Sequence, residues 1–369
     1  MNERNPTHQP PVLEPVRDDP RDHRIVSREL VLKWPKTDLH CHLDGSVRVE
    51  TVWDLALQQG ITLPSANIEE LRNALMVGDR AHNLREYLEP FHIVNLVLQE
   101  KEALERAAFE LAEDAWNEGV WYIEVRFSPI LHIHHGLRLT EIMDAVLTGL
   151  ARAERQYGVR TGVIVCGIRS IEPEVSLRLA ELTVAYKNKG VVAFDLAGAE
   201  DNYPAKDHVD AFLLIRKNNI NCTVHAGEAW GPDSISQALH NLSTHRIGHG
   251  TRLKENGDLL NYVNDHRIPL EICVTSNVQT KVVPSYEQHP IRFYYDCGLR
   301  VTINTDNRTI SGVNITEEYL RVHERCGLTR AELEDIVIMG WKAAFLPYRE
   351  KAMLLKRALI EMEKTRVPF

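Results

Sequence analysis

The 369-residue chain carries imidazoles and carboxylates at spacings that suit metal-assisted hydrolysis. His40 and His42 stand two residues apart in TDLHCHL, and Asp44 follows two residues later. Side chains alternate along a strand, so these three begin on one face if the run is extended. Alone, a His-x-His pair on a strand is more often structural than ligating. His225 closes another apolar run and precedes Glu228 by three residues, and Asp306 closes a third in NTDN. A carboxylate buried there needs a counter-charge, and a divalent cation supplies one. Three histidines and one aspartate from three strand ends, His40, His42, His225 and Asp306, suit a single Zn2+ with room left for water. Glu228 would then serve as general acid rather than ligand. His249, closing RIGHG, would hold or deprotonate the water that such a cation activates; the bland alternative is a core histidine bonded to backbone. Asp195 would orient a ligand or form a plain salt bridge.

The elements that position these residues are eight short apolar runs: 37–43, 120–128, 161–168, 191–196, 221–225, 246–250, 269–276 and 300–306. Several are rich in β-branched residues and almost continuously apolar, as strands covered on both faces are. Helical patterns at 102–118, 139–157, 175–188, 207–218 and 233–242 separate them. Such alternation predicts parallel strands joined by crossover helices. Eight repeats predict an α/β fold of the TIM type, a (β/α)8 barrel whose active site forms at the C-terminal ends of the strands. No Gly-x-Gly-x-x-Gly follows the first run, which speaks against a dinucleotide fold. Residues 49–119 are too many for one crossover and predict a helical insertion over the exit of the first strand. Residues 315–364 predict extra C-terminal helices along the barrel's outside.

Composition sets the class. Hydrophobic residues make up 44% and charged residues 26%, with a net charge of −9, ordinary for a globular enzyme and poor for phosphate binding, which needs clustered Lys and Arg. No apolar run is long enough to span a membrane. Five prolines and many charges in residues 1–30 predict a polar tail without structure of its own, ahead of a single domain from 31 to 369. The opening residues lack the apolar core of a secretion signal. Six scattered cysteines without a C-x-x-C pair predict a reduced, cytoplasmic protein.

At these residues the chain resembles the adenosine deaminase family of the amidohydrolase superfamily. TDLHCHLDGS at 37–46, YIEVRFSP at 122–129, FDLAGAE at 194–200, HAGE at 225–228, GHG at 248–250, EICVTSN at 271–277 and INTDN at 303–307 match its motifs in order. The resemblance implies zinc-dependent deamination of adenosine, and of 2′-deoxyadenosine, to inosine and ammonia. It implies His40, His42, His225 and Asp306 as ligands of one Zn2+, and Glu228 as donor to purine N1 while C6 is attacked. His249 and Asp306 would steer the attacking oxygen. The backbone N–H of Gly198 would meet N3, Asp44 would accept from the ribose 5′-hydroxyl, and His42 would lie beside the sugar. Leu84, Leu88 and Phe91, spaced along one helix face, would form an apolar lid or simply pack the core. The chain departs from the family at Asn307, where better-known members carry a second Asp that must stay protonated to donate to N7. An amide donates without any pKa shift, so Asn307 would keep the N7 contact.

Other readings stand beside this one. Adenine or a modified 6-aminopurine nucleoside would use the same metal and acid, although Asp44 disfavours a 5′-phosphate and points to a ribose. A binuclear amidohydrolase usually bridges its metals with a Lys after the fourth strand, where this chain has DLAG. A nucleoside-binding protein without catalysis would need neither Glu228 nor His249. His132, His134 and His135 read as an exposed or structural cluster after the second strand. His323-Glu324 lacks the second histidine of a zinc-protease helix, and no P-C-x-x-C element of the cytidine-deaminase type occurs. Cys41 should face away from the ligands, and Glu124 and Arg126 read as a buried ion-pair network.

Overall fold

The computed structural model describes residues 26–366. Residues 1–25 of the expected tail lie outside them, and Arg28–Leu30 already belong to a helix, Arg28–Lys33, capped by the Ser27 side chain. Eight strands follow: β1 (Lys36–His42), β2 (Val120–Phe127), β3 (Arg160–Ile168), β4 (Val191–Ala197), β5 (Asn221–Ala226), β6 (Arg246–His249), β7 (Leu270–Ile272) and β8 (Val301–Ile303). Each pairs in parallel with the next, in the order of the sequence. The ring closes through a parallel bridge between Cys41 and Asp306. There the His42 N–H donates to Asp306 O at 2.7 Å and the Asp306 N–H donates to His40 O at 2.8 Å. The seam that closes the barrel thus carries three of the four expected ligands.

The strands are buried on both faces, as their apolar runs require: Val163, Ile164 and Val165 of β3 are wholly inaccessible. Crossover helices such as Leu139–Tyr157 match the predicted periods closely. The insertion after β1 contains helices Val49–Gln59, Ile68–Leu75, Leu84–Leu88, Phe91–Val97 and Lys101–Asn117. The lid residues do not share one helix, because Pro90 separates Leu84–Leu88 from Phe91–Val97. At the C-terminus, helices Ile315–Cys326, Arg330–Ala343 and Tyr348–Arg366 complete the fold. Arg330–Ala343 packs on β1 and β8, where the Trp341 indole N–H donates to Pro35 O at 2.8 Å.

The seventh run departs from expectation. Only Leu270–Ile272 is strand, and Val274–Gln279 is a short helix buried along its whole length. Its valines and threonine favour strand by propensity, and tertiary packing overrides them. That turn into helix swings Asn277 toward the barrel mouth, with consequences below.

Candidate active site

A cavity of about 450 Å³ opens at the C-terminal ends of the strands, lined by His42, Asp44, Gly198, His225, Glu228, His249, Asp306 and Asn307. Leu84, Leu88 and Phe91 of the insertion cover it, and Tyr87 joins them. His40 lies beneath, fully buried. The structure therefore brings together every site residue read from the sequence.

Ligating atoms of His40, His42 and Asp306 lie within 4.8 Å of one another, as do those of His40, His225 and His249. His42 Nε2 is 3.2 Å from His225 Nε2, and both His40 Nε2 and His42 Nε2 stand 3.4 Å from Asp306 Oδ1. These are separations of donors facing a common point. His40 Nδ1 is committed to Glu271 Oε2 at 2.8 Å, while its buried Nε2 has no hydrogen-bond partner. A buried nitrogen left without a partner costs free energy unless something else satisfies it. Burial also pushes the pKa values of His42 and His225 below the ordinary imidazole value, which keeps their lone pairs free for a cation. The donor set therefore fits a divalent metal.

A buried ionic layer sets the angles of these imidazoles. Asp195 holds His225 Nδ1 at 3.1 Å and accepts from Arg126 Nη1 at 2.9 Å, so it plays both expected parts. Glu271 accepts from Arg126 at 2.8 Å and from Thr223 Oγ1 at 2.8 Å. Arg246 bridges Glu271 and Glu124. Glu271 escaped the sequence reading, although a carboxylate inside the apolar run PLEICV was itself the signal of a buried partner. Removing one member of such a network strands the others' charges, at a cost of about 3–5 kcal/mol. Glu271→Ala is expected to lose stability of that order in denaturant unfolding of the metal-free protein. A variant as stable as the parent would show that the layer is not structural.

Backbone strain marks the same place. Asp306 and His249 both adopt left-handed conformations, with φ of 61° each, at a cost of about 1–3 kcal/mol per residue. Gly198 has φ of 93°. The protein leaves ordinary space for a Cβ there, so the dihedral rather than crowding by the chain calls for glycine. Gly45 is the opposite case: a Cβ would fall 2.0 Å from Asn307 Oδ1, so the amide occupies its place.

Glu228 sits 3.6 Å from His249 Nε2 and is buried. Burial first, then the charges of Asp306 and Glu200, hold its carboxyl well above the usual range, against an opposing pull from Arg169. Its loop is clamped by Glu200, which accepts from the N–H groups of Glu228 at 3.1 Å and Trp230 at 2.6 Å. Asp44 Oδ1 has no partner, and burial lifts that carboxyl to about 6. Asn307 donates through Nδ2 to Tyr87 OH at 3.2 Å, leaving a second amide N–H. His132 is buried while His134 lines the cavity mouth, and His323 Nδ1 bonds to Leu328 O at 2.7 Å. Cys41 lies outside the cavity lining.

Comparison with known proteins agrees with this geometry. A model of the adenosine deaminase family matches residues 35–360. The chain is 42% identical over 325 residues to a probable adenosine deaminase of Dictyostelium discoideum, covering 88% of itself and 42% of that longer protein. It is 38% identical over 330 residues to an adenosine deaminase of Clostridium acetobutylicum, covering 89% of itself and 98% of that protein. An adenine deaminase structure from Arthrobacter aurescens superposes with a TM-score of 0.84 at 25% identity, over 89% of this chain and 99% of that one. A zinc-bound amidohydrolase structure from Burkholderia ambifaria superposes with a TM-score of 0.85 at 23% identity, over 94% of this chain and 96% of that one.

Proposed function

The chain belongs to the adenosine deaminase family, and from that premise we propose how its own residues convert adenosine to inosine and ammonia. The reading is supported by the His40, His42 and Asp306 ligating atoms lying within 4.8 Å of one another, with His225 Nε2 3.2 Å from His42 Nε2, beside a buried Glu228 whose carboxyl burial holds well above the usual range.

His40, His42, His225 and Asp306 would hold one zinc ion per chain. Imidazole nitrogen with carboxylate oxygen is a zinc-type donor set. When bound, the ion supplies Lewis acidity that brings the pKa of water toward neutrality. Glu228 gives its proton to purine N1, which draws electron density from C6 and opens that carbon to attack. His249 and Asp306 hold the attacking oxygen on one face of the ring. The tetrahedral carbon then loses its amine, which takes the proton of the new C6 hydroxyl and leaves as ammonia, giving the 6-oxo product; the other proton of the attacking water restores Glu228. The Gly198 N–H meets N3 and Asn307 meets N7. Asp44 accepts from the 5′-hydroxyl, with His42 beside the sugar. Leu84, Leu88 and Phe91 keep bulk water from the ring. The six cysteines, all free and buried, suit a reducing, cytoplasmic setting, and no helix among the described residues is long and apolar enough to cross a membrane.

The likeness to an adenine deaminase keeps a second substrate in play. The unpartnered Oδ1 of Asp44 favours the nucleoside, because a bare base brings no donor to it. Steady-state comparison of adenosine, 2′-deoxyadenosine, adenine and 5′-AMP is expected to give the two nucleosides the highest kcat/KM. A higher value for adenine or 5′-AMP would contradict the reading. Asn307→Leu is expected to lower kcat/KM for adenosine by about 10-fold, the loss of one hydrogen bond in a buried site; an intact value would remove Asn307 from base recognition.

A further inference from the structure

We propose that His289 and Asn277 form a positioning relay that fixes His249 as an Nε2–H donor, so that it holds the attacking oxygen, takes no proton from it and stays outside the metal's ligand set. The inference deepens the reading of His249 given above and rests on it.

The relay begins at a group whose polarity is beyond choice. The backbone N–H of Ile291 donates to His289 Nδ1 at 3.1 Å. Burial lowers the His289 pKa to about 3, so the ring is neutral and carries one proton. With Nδ1 accepting, that proton sits on Nε2, which lies 3.3 Å from Asn277 Oδ1. The amide oxygen therefore accepts from His289, and its NH2 faces the other way. Asn277 Nδ2 lies 3.0 Å from His249 Nδ1, so His249 Nδ1 accepts. A ring whose Nδ1 accepts a hydrogen bond keeps its lone pair there and carries its proton on Nε2. All three side chains are buried, at 4%, 0% and 1% exposure for His289, Asn277 and His249, so water cannot readily scramble the order.

Two consequences follow for chemistry. A nitrogen bearing hydrogen has no lone pair in the ring plane, so His249 Nε2 neither ligates a cation nor serves as base. His249 nonetheless lies within 4.8 Å of the His40 and His225 donor atoms, and distance alone would admit it to the ligand set. The relay removes it. What remains is a fixed N–H aimed into the cavity from a residue held at φ of 61°, a preorganised donor of the kind that stabilises oxygen carrying negative charge.

The test is the protonation pattern of His249 by 15N NMR of histidine-labelled protein, metal-free and loaded with one equivalent of zinc. The expected pattern is pyrrole-type Nε2 and pyridine-type Nδ1, unchanged by zinc. A pyridine-type Nε2, or a zinc-induced shift of the His249 nitrogens, would overturn the relay. His289→Leu frees the Asn277 amide to turn over. It is expected to mix the two His249 tautomers and lower kcat about 10²–10³-fold, the loss of one preorganised donor to an oxygen gaining negative charge, with adenosine KM little changed. His289→Gln returns a donor and should recover part of the loss. Wild-type kcat in His289→Leu would overturn the positioning role. The assigned tautomer together with unchanged kcat in His249→Ala would instead overturn the reading of His249 beneath it.

Discussion

Glu228→Gln is expected to lower kcat for adenosine by about 10²–10⁴-fold while metal content and fold stay at parental levels. The amide keeps the volume and the clamp of Glu200 on the backbone N–H groups of Glu228 and Trp230, and it has no proton to give N1. The pH dependence carries the same message with a definite sign. Burial and the neighbouring Asp306 and Glu200 charges raise the Glu228 pKa, so the acid form persists to higher pH than in an exposed carboxyl. Activity should therefore fall on the alkaline side, as pH climbs past that raised value. The residual activity of Glu228→Gln should show no such limb. A variant that keeps both its rate and its alkaline limb would assign the proton to another group.

His225→Ala is expected to abolish turnover by another route, through loss of the metal. His225 comes from the opposite side of the barrel to the β1–β8 seam, and its Nε2 is 3.2 Å from that of His42. Without it, His40, His42 and Asp306 remain on the seam alone. Asp195 keeps its ion pair with Arg126 at 2.9 Å, so no carboxylate is stranded and the barrel should fold. Elemental analysis should find purified His225→Ala essentially metal-free, whereas Glu228→Gln retains one ion per chain. The two variants, both severely impaired and differing in metal content, separate ligand from acid. Full metal content in His225→Ala would remove it from the ligand set.

Some of this architecture was legible in the linear chain, for identifiable reasons. Strand alternation puts His40 and His42 on one face, and barrel geometry brings strand ends together, so His40 and Asp306, 266 residues apart, could be paired from the ends of their runs. The apolar lid is legible as spacing, while its division into two helices follows from Pro90. The seventh run misled because Val274 and Thr275 carry strand propensity within a segment that packing folds as helix. The layer behind the ligands was hardest to see. Glu271 meets His40 across 231 residues, and Tyr87 meets Asn307 across 220. Neither partner has a local pattern that points to the other. His289 sits in a polar stretch that reads as loop, and only its bond to Asn277 reveals its use. Residues that touch the reacting atoms are constrained in type, so they leave motifs; residues that aim them are constrained by distance, which a sequence does not print.

The measurement that bears most directly on the whole account is the change in ultraviolet absorbance as adenosine becomes inosine, followed before and after stripping by a strong chelator and again on titration with zinc. The four-ligand site requires conversion to cease in the stripped protein and to return in proportion to zinc, levelling at one equivalent per chain. Undiminished conversion by protein shown to be free of metal would contradict it.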